Sequence, residues 1–267
     1  MAYSKIHYST QEGVATIELN DPPANTYSYE MMREIDAAVL DARMDAAVHV
    51  IVLRGAGDKF FCAGANIGML KDADPGFKYY FCLHANETLN RLEQTPKLVI
   101  AALNGHTVGG GLEVAMAADI RIARAGGSKI GLPEVALGVL PGTGGTQRLA
   151  RLVGKARAIE LMIQGRLMSF DEAKAVGLVT EIWDEAVLAG KSFADAVQEY
   201  ARQFTPPHKA SMAVGRIKRA VQSGAEMSFG DGLSLERELQ QLLFESDDAR
   251  EGIAANLEKR KPNFRGN

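Results

Sequence analysis

Two nearly continuous apolar runs, VHVIVLRG (48–55) and KLVIAALNG (97–105), each stop at a glycine. A run without polar alternation has no wet face, so it fits a strand covered on both sides. Such strands belong to parallel sheets, and parallel neighbours need crossover connections, usually helices. The rest of the first half supplies them. GVATIEL (13–19) alternates like a strand with one polar face. Residues 28–45 have helical spacing through Met31, Ile35, Val39 and Leu40, and residues 77–94 read as a second helix. GGGLEVAMAAD begins a short helix, and IRIARA (120–125) reads as a strand. The fold class is therefore α/β. After Pro141 three helical segments each close at or before a glycine, VTEIWD (179–184) reads as a last strand, and from Ala189 onward nearly everything is helical. No internal repeat or low-complexity linker interrupts the chain. The boundary between an α/β core and a helical tail is placed near residue 200, giving regions 1–200 and 201–267.

Composition excludes several function classes. A 267-residue chain with 46% hydrophobic and 24% charged residues is ordinary for a globular protein with a sizeable core. Its net charge of −3 makes no electrostatic bid for nucleic acid or an anionic membrane. No apolar run approaches the ~20 residues of a membrane span. Cys62 and Cys82 form neither a metal nor a redox spacing, and MAYSKIHYST lacks the apolar centre of a signal peptide. The expectation is a cytoplasmic protein with reduced thiols and no metal.

The stretch VGGGLEV (108–114) raises the functional question. It fits neither GxGxxG nor a Walker loop, and the chain has no GxSxG. His106 beside it is read as structural. A helix N-terminus carries unpaired N–H groups and about half a positive charge, and glycine lets an anion approach them. The competing explanation is close helix–strand packing. A second small-residue loop, FFCAGAN (60–66), follows the first buried strand. Two such loops at adjacent strand ends present two N–H groups to one oxygen, an arrangement suited to a carbonyl that becomes an enolate.

FFCAGANI, AALNGHTVGGGLEVAMAADIRIA and GLPEVALGVLPGTGGTQRLARLVG, in that order, resemble the crotonase superfamily, also called the enoyl-CoA hydratase/isomerase family. The likeness runs from GVATIELNDPPAN to LEKRKPNF. It implies a spiral of repeated ββα units with a C-terminal helical trimerisation region, assembled as a homotrimer or a hexamer made of two trimers. It also implies an acyl-CoA thioester substrate and no separate cofactor, coenzyme A being part of the substrate. By position, the Ala65 and Gly110 N–H groups match the oxyanion donors and Glu113 and Glu134 match the catalytic pair. Gly142 matches a backbone N–H that helps hold the water. Ala24, Lys59, Ala63, Asn66, Ile67 and Lys259 are assigned to coenzyme A, and Met69, Leu70, Phe77, Tyr80 and Phe81 to the acyl pocket or its lid. Residue chemistry agrees: hydration needs a base for water and an acid for carbon, and two neighbouring carboxylates divide those roles by splitting their pKa values. The apolar neighbours of Glu113 mark it as more than a solvated helix residue.

The chain also departs from the family pattern. Asn66 stands where the family mostly has Asp, and Gly68 where a lysine is frequent. Asn256 replaces a phenylalanine near the C-terminus. In PPANTYSYEM, Thr26 and Tyr27 replace a small residue and a leucine. Three functions remain open at this point: a hydratase of a 2-enoyl-CoA, another family reaction such as double-bond isomerisation or hydration of a dienoyl or branched acyl-CoA, and non-enzymatic RNA binding. Two glutamates disfavour the isomerase, which commonly keeps one, and the net charge disfavours RNA.

Overall fold

In the computed structural model, which describes residues 3–267, the chain opens with an antiparallel pair, β1 (Ile6–Gln11) and β2 (Val14–Leu19). Helix α1 (Tyr29–Met44) follows, its N-terminus capped by the Ser28 side chain. It buries Met31, Met32, Ile35, Ala38, Val39 and Ala42, while Leu40 of the expected stripe faces outward. Three turns of one pattern come next. The first is β3 (Val50–Gly55), β4 (Phe60–Cys62), α2 (Ile67–Lys71) and α3 (Pro75–Glu93). The second is β5 (Leu98–Leu103), β6 (His106–Val108) and α4 (Gly110–Met116). The third is β7 (Ile120–Arg124), β8 (Lys129–Gly131), a 3-10 turn (Glu134–Leu137) and α5 (Gly145–Val153). Each long strand joins one sheet, each short strand a second sheet, and helices return the chain. This is the ββα spiral.

The large sheet runs β1-β2-β3-β5-β7-β10, parallel from β2 onward, with β10 at Glu181–Trp183. The small sheet runs β4-β6-β8-β9, with β9 at Met168–Ser169 closing it antiparallel. The glycines that end the apolar runs make the step between the sheets. A Cβ at Gly55 would lie 2.8 Å from Phe61 Cα, and one at Gly105 would lie 2.6 Å from Phe60 N. Buried Asn104 fastens successive turns: its Oδ1 accepts from Gly55 N at 3.0 Å and its Nδ2 donates to Gly57 O at 2.7 Å.

The later helices are α6 (Lys155–Gln164), α7 (Phe170–Ala175), α8 (Glu185–Leu188), α9 (Phe193–Arg202), α10 (Ser211–Gly224), α11 (Phe229–Phe244) and α12 (Asp247–Leu257). Helix α9 buries Phe193, Val197 and Ala201 in a cluster with Val50, Val52 and Ile100 of the large sheet. Helix α10 is anchored by a buried ion pair. Lys218 Nζ sits 2.9 Å from Asp119 Oδ2 and donates to Lys97 O at 3.1 Å, while Asp119 also accepts from Val99 N at 2.7 Å. Burial pushes the Asp119 pKa up and the Lys218 pKa down, and each charge counteracts the shift of the other. Residues 202–219 carry Arg202, Lys209, Arg216, Lys218 and Arg219 and no acidic residue, yet Lys218 faces the core.

Removing one partner of a buried pair strands the other charge, at about 3–5 kcal/mol. Lys218→Met is therefore expected to destabilise the fold by roughly that amount in denaturant unfolding. The double variant Lys218→Met/Asp119→Asn should recover much of the loss.

Candidate active site

One cavity of about 270 Å³ lies where the ends of β4, β6 and β8 meet the loops that follow them. Its wall includes Ala63, Gly64, Ala65, Gly110, Glu113, Glu134 and Gly142. The loop after β4 is held by two bonds to Tyr27: Tyr27 N donates to Gly64 O and Asn66 N donates to Tyr27 O, both at 2.9 Å. That pattern leaves the Ala65 N–H out of the ladder. Gly110 is the first residue of α4, so its N–H has no acceptor within the helix. Among the described residues no acceptor meets either N–H.

The three glycines answer to three different neighbours. Gly109 has φ +58°, a conformation L side chains rarely adopt, and its Cβ would lie 3.1 Å from Glu134 Oε1. At Gly110 a Cβ would collide with Tyr27, 2.6 Å from Cε1 and 2.7 Å from Cζ. At Gly111 it would strike the Cys62 carbonyl group, 2.7 Å from the carbon. Close packing and open N–H groups, competing explanations from the sequence, are both present. Position 110 is closed by a protein side chain as well as by any ligand's need for room.

Glu113 lies in the first turn of α4 and is 2% exposed. Three donors converge on it. Thr143 N and Gly145 N reach Oε1 at 2.8 and 2.7 Å, and the Thr143 hydroxyl donates to Oε2. Helix α5 has no side-chain cap of its own, and Glu113 takes that place. A carboxylate offers about four lone-pair positions, so roughly one remains for a ligand or water.

Glu134 starts the 3-10 turn and is only partly buried, yet its Oε2 is shielded and, among the described residues, has no hydrogen-bond partner. Its pKa is pushed up from 4.5 to about 7. Burial is the largest cause; its own backbone N–H works against the rise, the Glu113 charge adds to it, and Lys78 opposes it. The cavity thus contains one carboxylate held as an acceptor and another inclined to keep a proton near neutral pH.

Residues 9–267 match the family model described as enoyl-CoA hydratase/isomerase. The chain belongs to that family. It is an enoyl-CoA hydratase-like enzyme of the crotonase superfamily. Among its relatives is a probable enoyl-CoA hydratase of Bacillus subtilis, 38% identical over 98% of both chains. A crotonyl-CoA hydratase of Syntrophomonas wolfei is 37% identical over 99% of both. The crystal structure of a Geobacillus kaustophilus enoyl-CoA hydratase superposes with a TM-score of 0.95 at 44% identity, covering 100% of this chain and 98% of that one.

Of the residues assigned from the family pattern, Ala63, Ala65, Ile67, Leu70, Gly110, Glu113, Glu134 and Gly142 line the cavity. Ala24 stands beside it, its carbonyl accepting from Ala63 N at 3.1 Å. Asn66 caps α2 by accepting from Met69 N at 3.0 Å. Lys59 stacks its ammonium over the Phe60 ring, and Lys259 follows α12 on the surface; neither is part of the lining. Met69 packs against the core. Phe81 is buried behind Tyr27 with ring centroids 5.9 Å apart, Phe77 stacks on Phe81, and Tyr80 is exposed. His106 is structural, accepting from Lys129 N at its Nδ1. Tyr27, Lys78, Leu137, Leu140 and Thr143 also line the cavity and were not singled out from the family pattern as site residues. Tyr27 did carry a signal, as a departure from that pattern.

The folded protein holds the Glu134 proton more tightly than the unfolded chain. Below pH 4.5 both states are protonated and this contribution to stability is fully present; it is lost as pH rises through about 7. Denaturant midpoints measured from pH 4.5 to 8 should therefore contain a falling component that Glu134→Gln removes.

Proposed function

We propose that this enzyme is an enoyl-CoA hydratase, adding water reversibly and syn across the double bond of a 2-enoyl-CoA to give a 3-hydroxyacyl-CoA. The observation that carries the reading is the unequal pair of carboxylates in one cavity with two unengaged N–H groups. The thioester oxygen accepts from Ala65 N–H and Gly110 N–H, which stabilise the charge that develops there; one such donor is worth ~3–4 kcal/mol in studied enzymes. Glu113 takes a proton from water through its remaining lone pair while the water oxygen bonds to C3. Glu134 gives its proton to C2. The two carboxyl groups exchange protonation states over the addition, and proton exchange with solvent resets them. Gly142 lines the same cavity, and its N–H helps hold the water in this reading. The acyl group rests against Leu70, Leu137 and Leu140. The coenzyme A portion extends toward Ala24, Ala63, Asn66 and Ile67, with Lys59 and Lys259 as cations for its phosphates.

The test follows loss of the conjugated thioester absorbance with a series of 2-enoyl-CoA substrates. Glu113→Gln and Glu134→Gln should each lower kcat by ~10²–10⁴, the range for loss of a general acid or base. Retention of half the wild-type turnover would remove that residue from the mechanism. Conversion of a 3-enoyl-CoA without any hydration would favour the isomerase.

The assembly is proposed to be a trimer or a hexamer. Helices α10–α12 leave Ile217, Val221, Phe229, Phe244 and Leu257 largely exposed in the single chain, more apolar surface than an isolated protein usually presents. Sedimentation at micromolar concentration is expected to show three or six copies. A dominant 28.8 kDa species would overturn this.

A further inference from the structure

Tyr27 is where this chain leaves the family pattern and also where three parts of the site meet. Its backbone fastens the loop that carries Ala65. Its ring lines the cavity and backs onto Phe81. Its hydroxyl lies over Gly110, where a Cβ would otherwise sit, and 3.2 Å from Thr143 Oγ1. The residue is 2% exposed.

The direction of that last bond follows from counting protons. Thr143 has one hydroxyl proton, and the Glu113 carboxylate, as an acceptor, claims it. Thr143 Oγ1 can then only accept from Tyr27, so the bonds run Tyr27 O–H to Thr143 Oγ1–H to Glu113 Oε2. Burial, and next the nearby Glu113 charge, hold the Tyr27 pKa well above 10, which keeps the donor proton in place. Bonds in such a chain polarise and strengthen one another. Without the phenol, the Thr143 hydroxyl still donates to Glu113 but loses the donor that pins its oxygen and polarises its proton toward the carboxylate.

We infer that Tyr27 is a positioning residue for the hydration reaction: its hydroxyl locks the Thr143 hydroxyl onto Glu113 and so fixes the carboxylate that takes the proton from water. This rests on the hydratase reading above. It assigns a role to a residue outside the glutamate pair and outside the two N–H donors. It also gives Gly110 a second reason to lack a side chain, since the phenol occupies that space.

The experiment is a double-variant cycle with Tyr27→Phe and Thr143→Ala, read as kcat and KM on a 2-enoyl-CoA, with melting temperature recorded for each protein. Tyr27→Phe keeps the ring and removes only the hydroxyl. It is expected to lower kcat about 10-fold, within the range for coupled groups in one network, with KM changed less than about 3-fold. In the Thr143→Ala background the same change should cost less than about 2-fold, because the link is already broken. Thr143→Ser keeps the hydroxyl and should retain most activity, a check that stands even if a Tyr27 variant fails to fold. Equal losses from Tyr27→Phe in both backgrounds would mean that Tyr27 does not act through Thr143. So would a Thr143→Ser enzyme as impaired as Thr143→Ala. A Tyr27→Phe enzyme as active as an active wild type overturns this inference alone. A wild type that hydrates no 2-enoyl-CoA overturns the hydratase reading and this inference together.

Discussion

A carboxylate removed from water needs donors, and the Glu113 carboxylate organises the site around that need. It leaves α4 and accepts from the two backbone N–H groups and one hydroxyl that open α5. Gly144, at the cap position of α5, has no side chain with which to satisfy those groups. The charge and the helix end therefore satisfy each other, and the second and third turns of the spiral are locked in register. Both backbone N–H groups reach the same oxygen, Oε1, so a residue at 113 without a side-chain acceptor would leave the helix N-terminus without a partner.

The neighbouring carboxyl is placed differently. Glu134 lies in a partly dry cavity where, among the described residues, its Oε2 has no partner; that burial raises its pKa most, and the Glu113 charge adds to the rise. Two residues of one chemical type thereby sit in unequal surroundings, one met by three donors and the other unpartnered at Oε2 among the described residues. A site that must accept a proton at one point and supply one at another needs that asymmetry. It arises from where the two carboxyl groups sit in the fold, one inside a helix turn facing a helix end, the other on a short turn at a cavity rim.

The glycines 109–111 show how tightly backbone and site are built together. One residue needs a positive φ beside Glu134, the next leaves room for the Tyr27 phenol, and the third lets α4 lie on the Cys62 carbonyl. The local sequence displays permissive backbone but not its neighbours, which come from residues 27, 62 and 134.

The sequence by itself determined the α/β class, the long buried strands and the larger helices, because six-residue apolar runs and amphipathic spacing are local signals that core burial imposes. It also marked the two glutamates and the two N–H loops, through the order of motifs that resemble the family. Strands β4, β6, β8 and β9 escaped it, since two or three residues are too few to show a period. So did Thr143 and Lys78, whose roles depend on what lies opposite them. The unequal environments of Glu113 and Glu134 and the path from Tyr27 to Glu113 were decided only by the tertiary structure. A hydrogen bond or a desolvated carboxylate is defined by groups distant in the chain, here 116 residues apart between Tyr27 and Thr143, and no local pattern encodes that meeting.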